Sequence, residues 1–251
     1  AKYINPSWTL SHNLPEASYG RIMVIHNPEQ LTLQPLLVTP QLMHFHAKYF
    51  NSTTSFYITF IYAFNSVSTR QTLLNLIPAL RQESHPWVVL GDFNCCLSLS
   101  NKYEGLPLVP NDILPLNSAV NDSSLLPICK NGALFSWNNR SRNGARIFSN
   151  IDHAFCNYKA LTTWPKLSTH LPQPILSDHS PLILTNGPYM KNVKRSFKFF
   201  NDWTLSSEFK PIVGKAWSTY CYGNPMFILC RKLNFVKKHL RTWAAEKYGD
   251  G

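Results

Sequence analysis

Apolar and polar positions in the early part of the chain follow a strand-like rhythm. Arg21-Ile22-Met23-Val24-Ile25-His26, then Leu36 to Phe45 with a break at Pro40, then Ser55 to Tyr62, are dominated by β-branched and aromatic residues and predict strands. The period then lengthens. Leu73, Leu74, Ile77 and Leu80 fall on one stripe at helical spacing, with Ser68 or Thr69 able to cap the helix and Pro78 placed to kink or end it. Trp87-Val88-Val89-Leu90 is wholly apolar and closed by Gly91, which predicts a buried strand with a turn at its end. A second helix is predicted around Ile113, Leu116, Ala119 and Val120, capped by Asn111 or Asp112. Short strands are predicted at 133–137, 151–155 and 181–184. The alternation is too irregular for a βαβ repeat, so the expectation is a mixed sheet system covered by helices.

Beyond Asn186-Gly187-Pro188 the texture changes to an aromatic and basic linker, Lys191 to Phe200, and then to a long helix. Asn224-Pro225 supplies a cap and a first-turn proline, and Gly249 supplies a stop. Between them Met226, Leu229, Leu233, Val236, Leu240 and Trp243 form a seam at alternating steps of three and four. Arg231, Lys232, Lys237, Lys238 and Arg241 occupy the other faces and are candidate nucleic-acid contacts. A domain at 1–185 and a basic helical tail at 186–251 are therefore expected.

Composition narrows the class. The 251 residues are 44% hydrophobic and 15% charged, which excludes general disorder, and no apolar run approaches the ~20 residues that span a bilayer. The net charge is +11, of which +8 falls in residues 186–251 and +3 in the remainder. Such an excess favours a polyanionic partner, either nucleic acid or an anionic membrane face. Six cysteines without C-x-x-C spacing read as reduced thiols, and His44 and His46, two apart on a strand, have no third metal ligand nearby. Neither an initiator Met nor an apolar signal segment opens the chain. The expectation is a piece that begins in mid-sequence and resides inside the cell, nuclear or cytoplasmic rather than secreted.

Candidate chemistry collects just beyond the ends of apolar strands, where the strand fixes a side chain and the loop exposes it. Asp92 and Asn94 follow Leu90 and Gly91. Asp152 lies inside an apolar pattern, where an unpaired carboxylate would be costly, so a partner is implied. Ser177-Asp178-His179-Ser180-Pro181 precedes Leu182-Ile183-Leu184. Carboxylates, an amide and a histidine, with no nucleophile elbow and no Gly-rich phosphate loop, point to metal-assisted phosphodiester hydrolysis with a hard cation such as Mg²⁺.

The strings Val88 to Asn94, Ile151 to Asn157 and Ser177 to Pro181 appear in the order and separation of the endonuclease/exonuclease/phosphatase superfamily. More closely the chain resembles the endonuclease region of plant non-LTR (LINE-type) retrotransposon polyproteins, through Gly20-Arg21-Ile22, Ile61 to Asn65, Leu134 to Asn138 and the tail from Phe199 to Asp250. The resemblance implies a four-layer αββα sandwich of mixed sheets with its site at one end. It also implies a Mg²⁺- or Mn²⁺-dependent DNA-nicking hydrolase with DNA as partner, no membrane and no organic cofactor, and a following partner domain beyond residue 251.

By position, Asp92 resembles the group that activates the attacking water and Asn94 its phosphate- or water-holding neighbour. Asp152 resembles the acid paired with the histidine and His179 the imidazole that contacts phosphate. Asp178 resembles the carboxylate near metal and water, and Tyr62 the phenol that reaches the phosphate. Two departures stand out. The family's metal-binding Glu lies upstream of the strand that here begins at Arg21, and Glu16, in Asn13-Leu14-Pro15-Glu16-Ala17, does not match its motif; His153 stands where related sequences carry Arg. The expectation is an N-terminally truncated copy lacking the first strands, with the runs Arg21 to His26 and Ser55 to Tyr62 left exposed. Its activity would be impaired, and the competing expectation is an inactive nucleic-acid-binding or structural remnant.

Overall fold

The computed structural model describes residues 5–16, 21–141, 144–174, 176–187, 203–204 and 206–248. The linker from Lys191 to Phe200 and the Gly249 stop lie outside the described residues. The strands of the first half are β1 (Thr9–His12), β2 (Met23–His26), β3 (Leu31–Val38), β4 (Leu42–Tyr49), β5 (Ser55–Tyr62), β6 (Trp87–Asp92) and β7 (Lys102–Tyr103). They are followed by β8 (Leu125–Pro127), β9 (Lys130–Gly132), β10 (Trp137–Asn138), β11 (Phe148–Ser149), β12 (Asp152–Asn157), β13 (Leu167–Leu171) and β14 (Ile183–Asn186). The α-helices are α1 (Val67–Leu76), α2 (Pro110–Asp122), α3 (Tyr158–Thr163), α4 (Phe209–Trp217) and α5 (Pro225–Tyr248).

A six-stranded mixed sheet in the order β3-β4-β5-β6-β12-β8 organises the first unit, residues 1–189. Its neighbours are antiparallel except β5 and β6, which run parallel and are joined by the crossover that contains α1. The two-residue side-chain period divides each strand between two cores. Leu42, Ile61, Trp87, Val89 and Phe155 meet Leu73 and Leu74 of α1 and Leu116, Ala119 and Val120 of α2. On the opposite face Met43 and Phe45 meet Ile22 and Val24, while Val88, Ala154 and Cys156 meet Leu167 and Ala160. Helices α1 and α2 thus cover one face, and the β1-β2 pair, the β14-β13-β9 sheet and α3 cover the other. This is the mixed α/β fold expected.

The elements depart from the sequence expectation at several points. β6 does not turn at Gly91 but runs on to Asp92, because the strand is paired on both sides that far. Gly91 has φ +140°, and a Cβ there would stand 2.0 Å from the Ile61 carbonyl oxygen, so glycine permits the close approach of β5 rather than a turn. The helix expected behind Ser68 or Thr69 starts instead after Ser66 and becomes a 3-10 turn at Ile77–Leu80, since Pro78 cannot donate. α2 starts earlier than expected, with Val109 as its N-cap; Asp112, one of the two expected caps, lies in the first turn instead, its carboxylate accepting from the Val109 N–H at 2.8 Å.

The strand expected at 133–137 shrinks to β10, because Lys130–Gly132 pairs with β13 first. Nor is the run Ser55 to Tyr62 exposed. It lies inside the sheet between β4 and β6, whereas in the run Arg21 to His26 β2 is paired to β1, with Ile22 and Val24 buried and Arg21, Met23 and Ile25 exposed.

The second unit, residues 190–251, carries α4 and α5. Asn224 caps α5, accepting from the Phe227 N–H at 2.8 Å. The C-terminal half of the seam, Val236, Leu240 and Trp243, packs with Trp203, Phe209, Ile212 and Val213, whereas Met226, Leu229 and Leu233 are exposed. Among the described residues no helix is long and apolar enough to cross a membrane.

Candidate active site

The sheet register brings three of the candidates into one row. Tyr62 pairs with Asp92 across β5 and β6, and Asp92 pairs with Asp152 across β6 and β12. Period-two alternation aims all three side chains at the same face, with Phe60 before Tyr62, Leu90 before Asp92 and Ala154 after Asp152. Both carboxylates are buried, at 8% exposure each. His179 arrives from the loop before β14 and is stitched to β10 by a bridge to Trp137 and by the Ser180 N–H donating to the Ser136 carbonyl at 2.7 Å.

His179 Nδ1 lies 2.9 Å from Asp152 Oδ2, which fixes Nδ1 as the donor and turns Nε2 toward Asp92 Oδ2, 3.9 Å away. That hydrogen bond raises the His179 pKa against the opposing effect of partial burial, and the charges of Asp152, Asp92 and Asp178 add to it. Burial, with the Asp152 charge second, pushes the Asp92 carboxyl up to about 6, despite the Asn94 N–H that donates to Asp92 Oδ1 at 2.8 Å.

Asn94 takes a left-handed conformation, φ +49°, and its Nδ2 donates to the Ala63 carbonyl at 2.7 Å, tying the β6 end to the β5 end. Asp178 stands apart from the pair. It is exposed and accepts from the Trp137 indole at 2.9 Å; slight burial pushes its carboxyl up, but that bond and its neighbours outweigh it and hold it below the usual range. Arg231, Lys232, Lys237, Lys238 and Arg241 line α5 in the second unit.

Three further residues support the site: Ser136 and Trp137 lie in the Leu134 to Asn138 string, which assigned them no role, and Arg70 lies outside every string. Arg70 is buried on α1 and donates to the carbonyls of Asn94 (2.6 Å), Phe64 (3.3 Å) and Asn65 (3.4 Å), clamping both strand ends. Ser136 Oγ accepts from the N–H groups of Ile151 and Asp152, both at 3.0 Å, and so sets the start of β12. Trp137 holds Asp178. Arg70 carries a separate hint: a lone cation on the apolar stripe side of a helix needs a partner inside.

Asp92, Asp152 and His179 present ligand atoms all within 4.8 Å of one another, the one such group among the described residues. Two carboxylates beside one imidazole suit a hard divalent cation, and the raised Asp92 pKa marks a desolvated anion that a cation would stabilise. The residues fit a metal, with Asp92 and Asp152 as its oxygen donors.

The profile of the Endonuclease/Exonuclease/phosphatase family matches residues 26–179. Among solved structures, the endonuclease domain of TRAS1, a telomere-specific non-LTR retrotransposon, superposes with a TM-score of 0.56 at 13% identity, over 76% of this chain and 84% of that one. A Bacteroides thetaiotaomicron endonuclease/exonuclease/phosphatase family protein gives 0.49 at 14% identity over 71% and 75%. The mannosyl-6-phosphatase Bt3783 of that organism gives 0.49 at 14% over 72% and 78%. At these identities the likeness concerns the fold. No curated protein matches the chain.

Proposed function

The chain belongs to the endonuclease/exonuclease/phosphatase family, and from that premise we propose that it is a divalent-metal-dependent phosphodiesterase that nicks DNA. The observation that carries the reading is the Asp92–His179–Asp152 cluster at one end of three adjacent strands. Asp152 holds the imidazole in one tautomer and raises its pKa through that hydrogen bond, which favours positive charge where phosphoryl oxygens gain negative charge. Asp92, buried beside Asp152, orients the attacking water and accepts its proton. A bound divalent cation supplies Lewis-acid polarisation of the phosphate. Asp178 and the Tyr62 phenol flank the substrate, and Asn94 keeps Asp92 aimed. DNA is the polymer to test first, on the strength of the retrotransposon endonuclease that shares the fold and of the basic second unit.

The sparse donor set favours a slow enzyme. With Asp152 already bonded to His179, two carboxylates hold the cation, and a weakly held metal loses part of its several kcal/mol of stabilisation. Supercoiled plasmid incubated with Mg²⁺ or Mn²⁺ tests both points: slow nicking that rises through millimolar metal and disappears on Asp92→Ala supports the proposal. Metal-independent DNA binding with no cleavage by any preparation establishes the binding remnant instead, and hydrolysis confined to small phosphate esters establishes a phosphatase.

A further inference from the structure

At the β5 end of the site row stands an arginine that the mechanism does not use. Arg21, exposed and immediately before β2, places its guanidinium carbon 5.1 Å from the Tyr62 ring centroid and 4.9 Å from that of Phe64. Tyr62 in turn pairs with Asp92. The arginine is therefore separated from the reactive carboxylate by one aromatic side chain.

Its main chain is rigidly set. The Arg21 N–H donates at 3.0 Å to Oδ1 of Asn13, which is wholly buried, also accepts from Ile22 N–H, and donates to the carbonyls of Thr39 and Pro40. The guanidinium itself has neither a carboxylate partner nor a hydrogen-bond acceptor among the described residues. Aromatic rings contact the flat face of a guanidinium and leave the in-plane N–H donors free, and those donors match a phosphate two at a time. Had Arg21 served to neutralise the buried acids, it would pair with one. It stacks on the tyrosine instead and keeps its donors open.

We propose that Arg21, stacked on Tyr62 and Phe64, binds a phosphate group of the substrate beside the Asp92–His179 centre. That the phosphate belongs to a nucleic-acid strand rests on the phosphodiesterase reading; that Arg21 takes phosphate does not. A strand bound this way places a phosphate neighbouring the scissile one on Arg21, so the enzyme favours polymers over isolated phosphate esters.

Two probes test it on the whole chain, inorganic phosphate and a short DNA duplex. The expected result is that inorganic phosphate shifts the Arg21 Nε–H resonance in ¹⁵N NMR. Arg21→Gln then weakens duplex binding about tenfold and lowers the slope of log K against log salt by roughly one. Arg21→Lys recovers the salt slope but only part of the affinity, since it keeps the charge without the fork. Arg81→Gln, which removes an arginine paired to Glu83, leaves the slope unchanged, and melting curves confirm that all variants fold.

Duplex affinity and slope unchanged in Arg21→Gln, or no shift of the Arg21 resonance by phosphate, overturns the inference even where plasmid nicking is robust. Absence of nicking together with the phosphate shift and the lost slope overturns the hydrolase reading and leaves the phosphate site standing. A phosphate shift without duplex binding by the parent chain assigns the site to free phosphate and overturns its role on a strand.

Discussion

The two ends of the β6–β12 strand pair are both buried and both polar, yet they do opposite work. At one end Asn157, 5% exposed, uses its whole hydrogen-bonding capacity: Oδ1 accepts from the N–H groups of Trp87 and Ala160, and Nδ2 donates to the carbonyls of Gln82 and His85. At the other end Asp92 and Asp152, at 8% each, face one another across the pair and share a single histidine. The saturated end stabilises the fold. The unsaturated end strains it, as the elevated Asp92 pKa records, and that unsatisfied charge is what can act on a substrate.

Substitutions at each end separate the two roles most sharply. On the activity side, Asp92→Ala or His179→Ala removes nicking by about 10³-fold in protein shown to be folded, within the range of lost acid–base groups. At the saturated end Asn157→Asp sets a carboxylate against two carbonyls and costs about 3–5 kcal/mol of stability by denaturant titration. Nicking measured on the fraction that stays folded is unaffected.

Titration reads the same contrast through pH. Because the folded-state pKa of Asp92 is raised to about 6 above its unfolded value of 3.8, its ionisation penalises folding fully above pH 6, and the penalty fades as pH falls toward 4. Asp92→Asn in chelator is therefore more stable than the parent by about 1–3 kcal/mol at pH 8, with the gap closing near pH 4. A constant difference across that range breaks the account.

His44 behaves in the opposite sense. Burial holds its pKa near 4, below the usual 6.5, and its Nδ1 lies 2.8 Å from Thr59 Oγ1, which accepts from the Trp87 indole. Its contribution is intact above pH 6.5 and is lost as pH falls from 6.5 toward 4. His44→Gln, smallest of these effects, flattens acid destabilisation by about 1–2 kcal/mol in pH-dependent melts.

Much of this was readable from the chain, for reasons visible at particular residues. The apolar runs at 55–62 and 87–90 announced the central strands because both faces are buried, and the polar residues after them marked the site end. Short pairings were harder to read. β13 does alternate, with Leu167, Thr169 and Leu171 inward, but a serine and a histidine between them mask the pattern. Asp152 was recognised as needing a partner; that Ser136 Oγ would set its backbone, or Arg70 the Asn94 turn, depends on contacts 16 and 24 residues apart in sequence. Asn157 closes the Ile151 to Asn157 string, yet its structural role is not legible there, since one amide at a strand end looks like any turn former.

Gly91 leads to a different kind of consequence, one for mutational drift. The carbonyl 2.0 Å from its missing Cβ belongs to the strand that carries Tyr62, so any side chain at 91 pries apart the two strands whose ends form the site. Under relaxed selection for cleavage, Asp92 and His179 are free to change while the fold persists, whereas Gly91 is not. Among sequences descended from this one, those that have lost both carboxylate and imidazole but retain the glycine are former enzymes still kept as folded proteins. Those that have lost the glycine have been released from folding as well.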